Sequence, residues 1–229
     1  MDVYQKRLAE LKERIAQACA RAGRDPEDVT IVGVTKYVGV DETRSLIEAG
    51  LKDLGENRIS VAAPKLEAIP AETGVRWHFI GHLQTNKVKE VLGNFSMIHS
   101  LDRLSLAKEI NKRAVAAGLT VPCLVQVNVS GEESKGGFTP QDVAGFLAAA
   151  GEMPGLAIRG LMTMAPVSDD PEAVRPVFRG LRELRDEMIG RGLFPADANE
   201  LSMGMSGDFE VAVEEGATLV RIGSVLVKP

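Results

Sequence analysis

Lys36 stands where a run of small and β-branched residues, IVGVTKYV (31–38), gives out. An ammonium group is costly to bury unless it is paired, neutralised or covalently used. Two readings of it stay open. Either the stem lies along a rim with the amine in water, as lysines readily allow, or the amine occupies a desolvated pocket. In the second case its neutral form attacks an aldehyde and makes a Schiff base. A second kind of chemistry is offered by SMGMSGDFEVAVEEG (202–216), where small residues and glycines run straight into a helix pattern. The first turn of a helix presents N–H groups to an anion, and Ser206 and Ser202 add hydroxyls, which suits phosphate. The plainer alternative is that Ser206 or Asp208 caps the helix. In RIGSVLVKP (221–229), Gly223 and Ser224 follow an apolar run and supply a second phosphate-friendly turn. Arg221 either pairs with a carboxylate or points into a cavity. Facing a heteroaromatic ring, its permanent charge would keep a ring nitrogen unprotonated.

Other candidates are weaker. His78 and His82 are four apart, a zinc spacing on a helix, but here they straddle a strand and its loop. H-E-x-x-H is absent and no third ligand is evident, so no metal is expected. His82 is placed to touch a ligand. The loop GEESKGGFTP (131–140) carries three glycines around Lys135 and reads either as a lid or as a solvated approach to a helix opened by Thr139 and Pro140. There is no G-x-S-x-G elbow, P-loop, Cys–His nucleophile signature or carboxylate pair, so acyl and phosphoryl transfer are not supported.

Elements that would position these residues alternate in a regular rhythm. Strands are expected at 30–37, 53–55, 76–81, 97–100, 123–129, 157–162, 200–203 and 218–222, with helix patterns at 41–49, 59–68, 102–117, 140–150, 171–191 and 208–215. Asp41, and Ser100 or Asp102, are plausible N-caps. Nearly continuous Val, Ile and Leu suits parallel strands covered on both faces. Eight such units predict an α/β protein, a single closed (β/α)8 barrel of the TIM type over residues 1–229, preceded by an extra N-terminal helix. The rival, an open doubly wound sheet, would show G-x-G-x-x-G after its first strand, where KYVGVD has one glycine. In a barrel, function gathers at the C-terminal strand ends. Those ends are Lys36, GENR (55–58), GHLQTNK (81–87), NVSGEESKGG (128–137), LMTMAP (161–166), SMGMSGD (202–208) and RIGS (221–224).

The chain has 229 residues, 45% hydrophobic and 26% charged, enough for a sizeable core. A net charge of −5 gives no reason to expect nucleic acid or an anionic membrane as partner. Cys19 and Cys123 show neither metal spacing nor a disulfide framework. The N-terminal segment is charged throughout and reads as an amphipathic helix with Val3, Leu8, Leu11, Ile15 and Ala18 on one side, ended by Gly23. With no apolar run of membrane length, a soluble, cytoplasmic protein is expected.

Taken together, VTKYV (34–38), LGENR (54–58), WHFIGHLQTNK (77–87), VQVNVSGEESKGGF (125–138), RGLMTM (159–164), LSMGMSGD (201–208) and RIGS (221–224) give a chain that resembles the pyridoxal phosphate homeostasis proteins. These are relatives in fold of the N-terminal barrel of alanine racemase. The resemblance implies pyridoxal 5′-phosphate held by Lys36 as a Schiff base. It implies phosphate contacts from Ser206, Gly223 and Ser224, with Arg221 facing the pyridine nitrogen. Asn57, His82, Ser202 and Met203 fall in motifs that line the cofactor. Some bacterial members carry a second lysine where this chain has Val38, so Lys135 and Lys228 remain as candidates for secondary binding.

Two functions follow from that resemblance. One is a carrier that limits free pyridoxal phosphate and passes it to dependent apo-enzymes. The other is an amino-acid racemase, which needs an electron sink and a base on each face of the substrate carbon. Arg221 would weaken the sink. Tyr37, as a strand neighbour of Lys36, is expected to point away from it. The second domain that supplies the opposing tyrosine in alanine racemase is not expected here, and with it goes the usual dimer contact. A monomeric, non-catalytic carrier is therefore expected.

Overall fold

A computed structural model describes residues 2–195 and 197–228. Its eight strands are β1 (Thr30–Val34), β2 (Asp53–Glu56), β3 (Arg76–Phe79), β4 (Met97–Leu101), β5 (Val121–Gln126), β6 (Leu156–Met162), β7 (Glu200–Met205) and β8 (Leu219–Ile222). All neighbours pair in parallel, and β8 returns to β1 with Thr30 opposite Leu219 and Gly33 opposite Ile222. The helices are α1 (Val3–Ala22), α2 (Val40–Glu48), α3 (Ile59–Ala68), α4 (Val88–Val91), α5 (Leu104–Ala116), α6 (Val143–Ala150), α7 (Arg175–Gly190), α8 (Phe209–Glu214) and α9 (Ser224–Val227). This is the expected (β/α)8 barrel with a leading helix.

The barrel divides the buried residues into two compartments. Outward side chains such as Leu54, Phe79, Leu201 and Met203 pack under the helices in one large apolar cluster. Inside the ring, Val32, Leu124, Met162 and Leu219 form a small separate cluster. The rest of the interior is polar: Asp53, His78, His99, Ser202 and Arg221 are all buried. Helix α1 closes one flank, burying Leu8, Leu11, Ile15, Ala18 and Cys19 against α8 and α9. Gly23 ends it at φ 65°, the left-handed conformation that glycine adopts without strain. Val3 was expected on that face but is 49% exposed, because it lies in the helix's first turn, before the packing begins.

Several boundaries move. The first strand stops at Val34 rather than reaching Tyr37: Thr35 N–H makes the last bond to β2, 3.1 Å to Gly55 O, and Val38 N–H then turns back to Thr35 O, also at 3.1 Å. Strand β5 ends at Gln126; Val127 N–H still donates to Met162 O at 2.8 Å, and Val127 forms an isolated bridge to Phe138. The N-cap of α2 is Gly39, whose N–H donates to Glu42 Oε2 at 3.1 Å, and that of α5 is Arg103. The short helices α4 and α9 have no counterpart in the sequence reading, being too brief for a periodic pattern.

Candidate functional site

At the C-terminal ends of the strands lies a cavity of 520 Å³, a size that suits a small organic ligand. Lys36, Asn57, His82, Ser206, Arg221, Gly223 and Ser224 line it, together with Lys228. These are seven of the nine expected positions.

Lys36 is half-buried in the turn after β1. Its amine has no hydrogen-bond or ion-pair partner among the described residues, and Nζ lies 4.9 Å from the centroid of the Tyr37 ring. Tyr37 therefore does not point away from Lys36. Strand alternation does not apply, because the chain has already turned, and both residues line the same cavity. The turn itself is anchored from below. Thr35 Oγ1 donates to Glu56 Oε1 at 2.6 Å, and Lys65 Nζ donates to Thr35 O at 2.6 Å and to Glu56 Oε1 at 2.5 Å.

The adjoining wall, built on β7 and β8 next to β1 in the ring, is polar. Ser206 Oγ accepts long bonds from the N–H groups of Gly223 (3.3 Å) and Val225 (3.4 Å), so the loops after β7 and β8 converge on one hydroxyl. Asp208 Oδ1 accepts from Met205 N–H at 2.6 Å and holds the first of these loops. Donors held this loosely can turn to an anion of better geometry. Arg221 is 5% exposed and donates to Ser202 Oγ (2.6 Å) and to Thr163 O (3.0 Å). Burial pulls its pKa down to about 10, with Asp208 partly opposing the shift, so the guanidinium stays cationic at neutral pH.

His82 is exposed, with Nδ1 3.1 Å from Asp102 Oδ2, and Asp102 also pairs with Arg103. Asn57 is fixed by a close backbone approach: a Cβ on Gly81 would meet Asn57 O at 2.2 Å. The loop after β5 is folded on itself, with Asn128 Nδ2 donating to Glu132 O and Lys135 O, and Gln126 Nε2 donating to Gly136 O at 3.1 Å. Gly136 reaches the cavity; Lys135 is not among its lining residues.

Two expected residues are not brought to the cavity. Residues 201–203 alternate: Ser202 points inward beneath Arg221, while Met203 points outward into the helix-packed core. His78 is also inside the barrel and not among the cavity-lining residues; it sits between Asp53 and His99. Conversely, Tyr37, Gln126, Met164 and Met205 line the cavity. The last three sit at or just past strand ends, so the rule that placed function there would have found them. Among the described residues no group of three or more His, Cys, Asp or Glu could hold a metal ion, and no helix is long and apolar enough to cross a membrane. Both cysteines are buried, and burial pushes the Cys123 thiol up to about 12. Chemically, the arrangement gathers into one cavity an amine with no partner among the described residues, clustered hydroxyls and N–H groups, and a fixed cation. It can capture an aldehyde that carries an anionic group.

The chain is similar to known proteins over nearly its whole length. Residues 7–229 match the family described as alanine racemase, N-terminal domain. A pyridoxal phosphate homeostasis protein of Aquifex aeolicus is 47% identical over 221 residues, covering 96% of each chain. Among solved structures, an unknown protein from Bifidobacterium adolescentis superposes with a TM-score of 0.91 at 36% identity, covering 99% of this chain and 97% of that one. PipY of Synechococcus elongatus, solved with PLP bound, superposes at 0.79 and 31% identity, covering 93% of this chain and 99% of PipY.

Proposed function

This chain belongs to the pyridoxal phosphate homeostasis protein family, and we propose that it binds pyridoxal 5′-phosphate in the barrel-mouth cavity and serves as its carrier. The observation that carries this reading is the placement of Lys36 in one cavity with Ser206, Gly223, Ser224 and Arg221. The donor set fits the group: an amine for an aldehyde, hydroxyls and N–H groups for a phosphate, a cation for a ring nitrogen. When bound, pyridoxal phosphate supplies an electrophilic aldehyde on an aromatic ring. Lys36 is the residue that would hold it as a Schiff base, since its amine has no competing partner among the described residues. Ser206, with the N–H groups it now occupies, orients the phosphate, and Ser224 adds a hydroxyl. Asn57 and His82 form the adjoining wall, while Ser202 acts from below through Arg221.

The carrier reading rests further on Arg221. A cation fixed against the ring nitrogen disfavours ring protonation and so weakens the electron sink that carbanion chemistry requires. The racemase reading gains one observation, that Tyr37 lines the cavity. Its ring, however, lies against the very amine it would have to oppose across a substrate. In the carrier reading the protein holds the cofactor, limits free aldehyde and yields it to dependent apo-enzymes.

The test is the visible spectrum of the protein loaded with pyridoxal phosphate, with Lys36→Ala alongside and D- and L-amino acids added. A yellow band that the variant lacks, without turnover of either enantiomer, supports the carrier. Interconversion of enantiomers at an appreciable rate favours the racemase. A protein that stays colourless after loading removes the cofactor reading itself.

A further inference from the structure

A continuous line of hydrogen bonds crosses the barrel beneath the cavity. Arg221 Nη1 lies 2.6 Å from Ser202 Oγ, and Ser202 Oγ lies 2.8 Å from His99 Nδ1. His99 Nε2 is then 2.8 Å from His78 Nδ1, and His78 Nε2 is 2.8 Å from Asp53 Oδ1. Strands β4 and β7 are not neighbours in the ring, so the His99–Ser202 contact spans the interior. Asp53 opens β2, at the end of the barrel opposite the cavity, and takes two further bonds from Arg76 at 2.7 and 2.6 Å. His78, His99 and Ser202 are all buried, out of reach of water that could repair a mismatched bond.

The two ends fix the direction of every bond between them. A guanidinium only donates and a carboxylate only accepts, whereas imidazole and hydroxyl do both. Asp53 requires a proton on His78 Nε2. With His78 neutral, its Nδ1 is an acceptor and requires a proton on His99 Nε2. His99 Nδ1 in turn accepts from the Ser202 hydroxyl, which leaves Ser202 Oγ free to accept from Arg221. Each donor and each acceptor on the line is then used. The opposite direction needs a charged His78, adds a second cation to an interior already holding Arg221, and leaves the Ser202 O–H without a partner. Burial, with His78 and Arg221 beside it, holds His99 well below the ordinary imidazole range, in agreement with a neutral ring.

We propose that Asp53, His78, His99 and Ser202 form a one-way positioning relay that locks both imidazoles as the neutral Nε2–H tautomer and fixes the plane of the Arg221 guanidinium in the cavity. The relay is a property of the protein without ligand; its value to cofactor binding rests on the function proposed above. Its residues position Arg221 and touch no ligand themselves. The orientation of the buried guanidinium in the cavity wall is thereby set from the far end of the barrel.

The experiment is a long-range ¹H–¹⁵N correlation spectrum of histidine-labelled, ligand-free protein carrying His82→Asn, which leaves only the two buried rings. Both are expected as neutral Nε2–H tautomers at neutral pH. A ring protonated at Nδ1, alone or together with Nε2, overturns the relay. A second measurement follows the Arg221 Nη protons in Ser202→Ala. Their solvent exchange is expected to rise about 10-fold or more with the loss of that acceptor; unchanged exchange overturns the positioning role. Neither readout involves pyridoxal phosphate. Correct tautomers in a protein that never takes up the cofactor would sink the proposed function and leave the relay standing.

Discussion

Lys36 and Lys65 converge on a single residue, Thr35, and the fold treats them in opposite ways. Lys65, on α3, is 2% exposed and spends its ammonium on Thr35 O and on Glu56, which is itself fully buried. Lys36, the residue after Thr35, is half-buried, and its amine has no carboxylate or carbonyl partner among the described residues and is set beside an aromatic ring in a cavity. A buried lysine whose ammonium is committed to a carboxylate and a carbonyl is a structural member. One held in place by its backbone while its amine is left unpaired is a nucleophile in waiting. The two are linked, because the paired lysine anchors the carbonyl immediately before the unpaired one.

The contrast breaks most visibly in stability. Lys65→Met leaves Glu56 buried and unpaired, with Oε2 already lacking a partner, and is expected to cost about 3–5 kcal/mol. Lys36→Ala is expected to change stability by no more than about 0.5 kcal/mol. Urea unfolding of both variants checks this, and similar losses would erase the distinction. Adding Glu56→Leu to Lys65→Met should recover most of the loss, since an apolar pair of similar volume often replaces a buried ion pair without penalty.

A smaller effect is expected just past the ends of β2 and β3. Gly81→Ala places a Cβ 2.2 Å from Asn57 O, where backbone must move. A destabilisation of about 1–3 kcal/mol is expected, with weaker cofactor uptake as Asn57 shifts. Smallest of all, Ser206→Ala leaves the fold intact and removes one phosphate donor, about 1 kcal/mol or a roughly fivefold weaker affinity in an equilibrium titration. A loss of stability in that variant would mean that Ser206 serves the loops rather than the ligand.

Much of this was legible in sequence, for identifiable reasons. Parallel strands buried on both faces are short apolar runs, so eight could be counted. Polar and glycine-rich strand ends then marked the cavity, and Ser206, Gly223 and Ser224 were found that way. Lys65 was not, because a lysine within a helix pattern reads as solvated and nothing local announces that Glu56 lies beneath it. His99 escaped for the same reason: its partners His78 and Ser202 are distant along the chain. Tyr37 was misplaced by assuming a strand three residues past its end, and Met203 by its place in LSMGMSGD, where Met205 and Ser206 reach the cavity but Met203 faces outward. Local pattern locates elements, while the identity of a buried partner depends on the closed ring.

The most direct test of the central distinction is peptide mass mapping after pyridoxal phosphate is added and reduced with borohydride at neutral pH. Modification is expected on the peptide containing Lys36, with Lys65 untouched. Labelling of Lys65, or equal labelling of exposed lysines with none favoured at Lys36, would contradict the assignment of one lysine to chemistry and the other to structure.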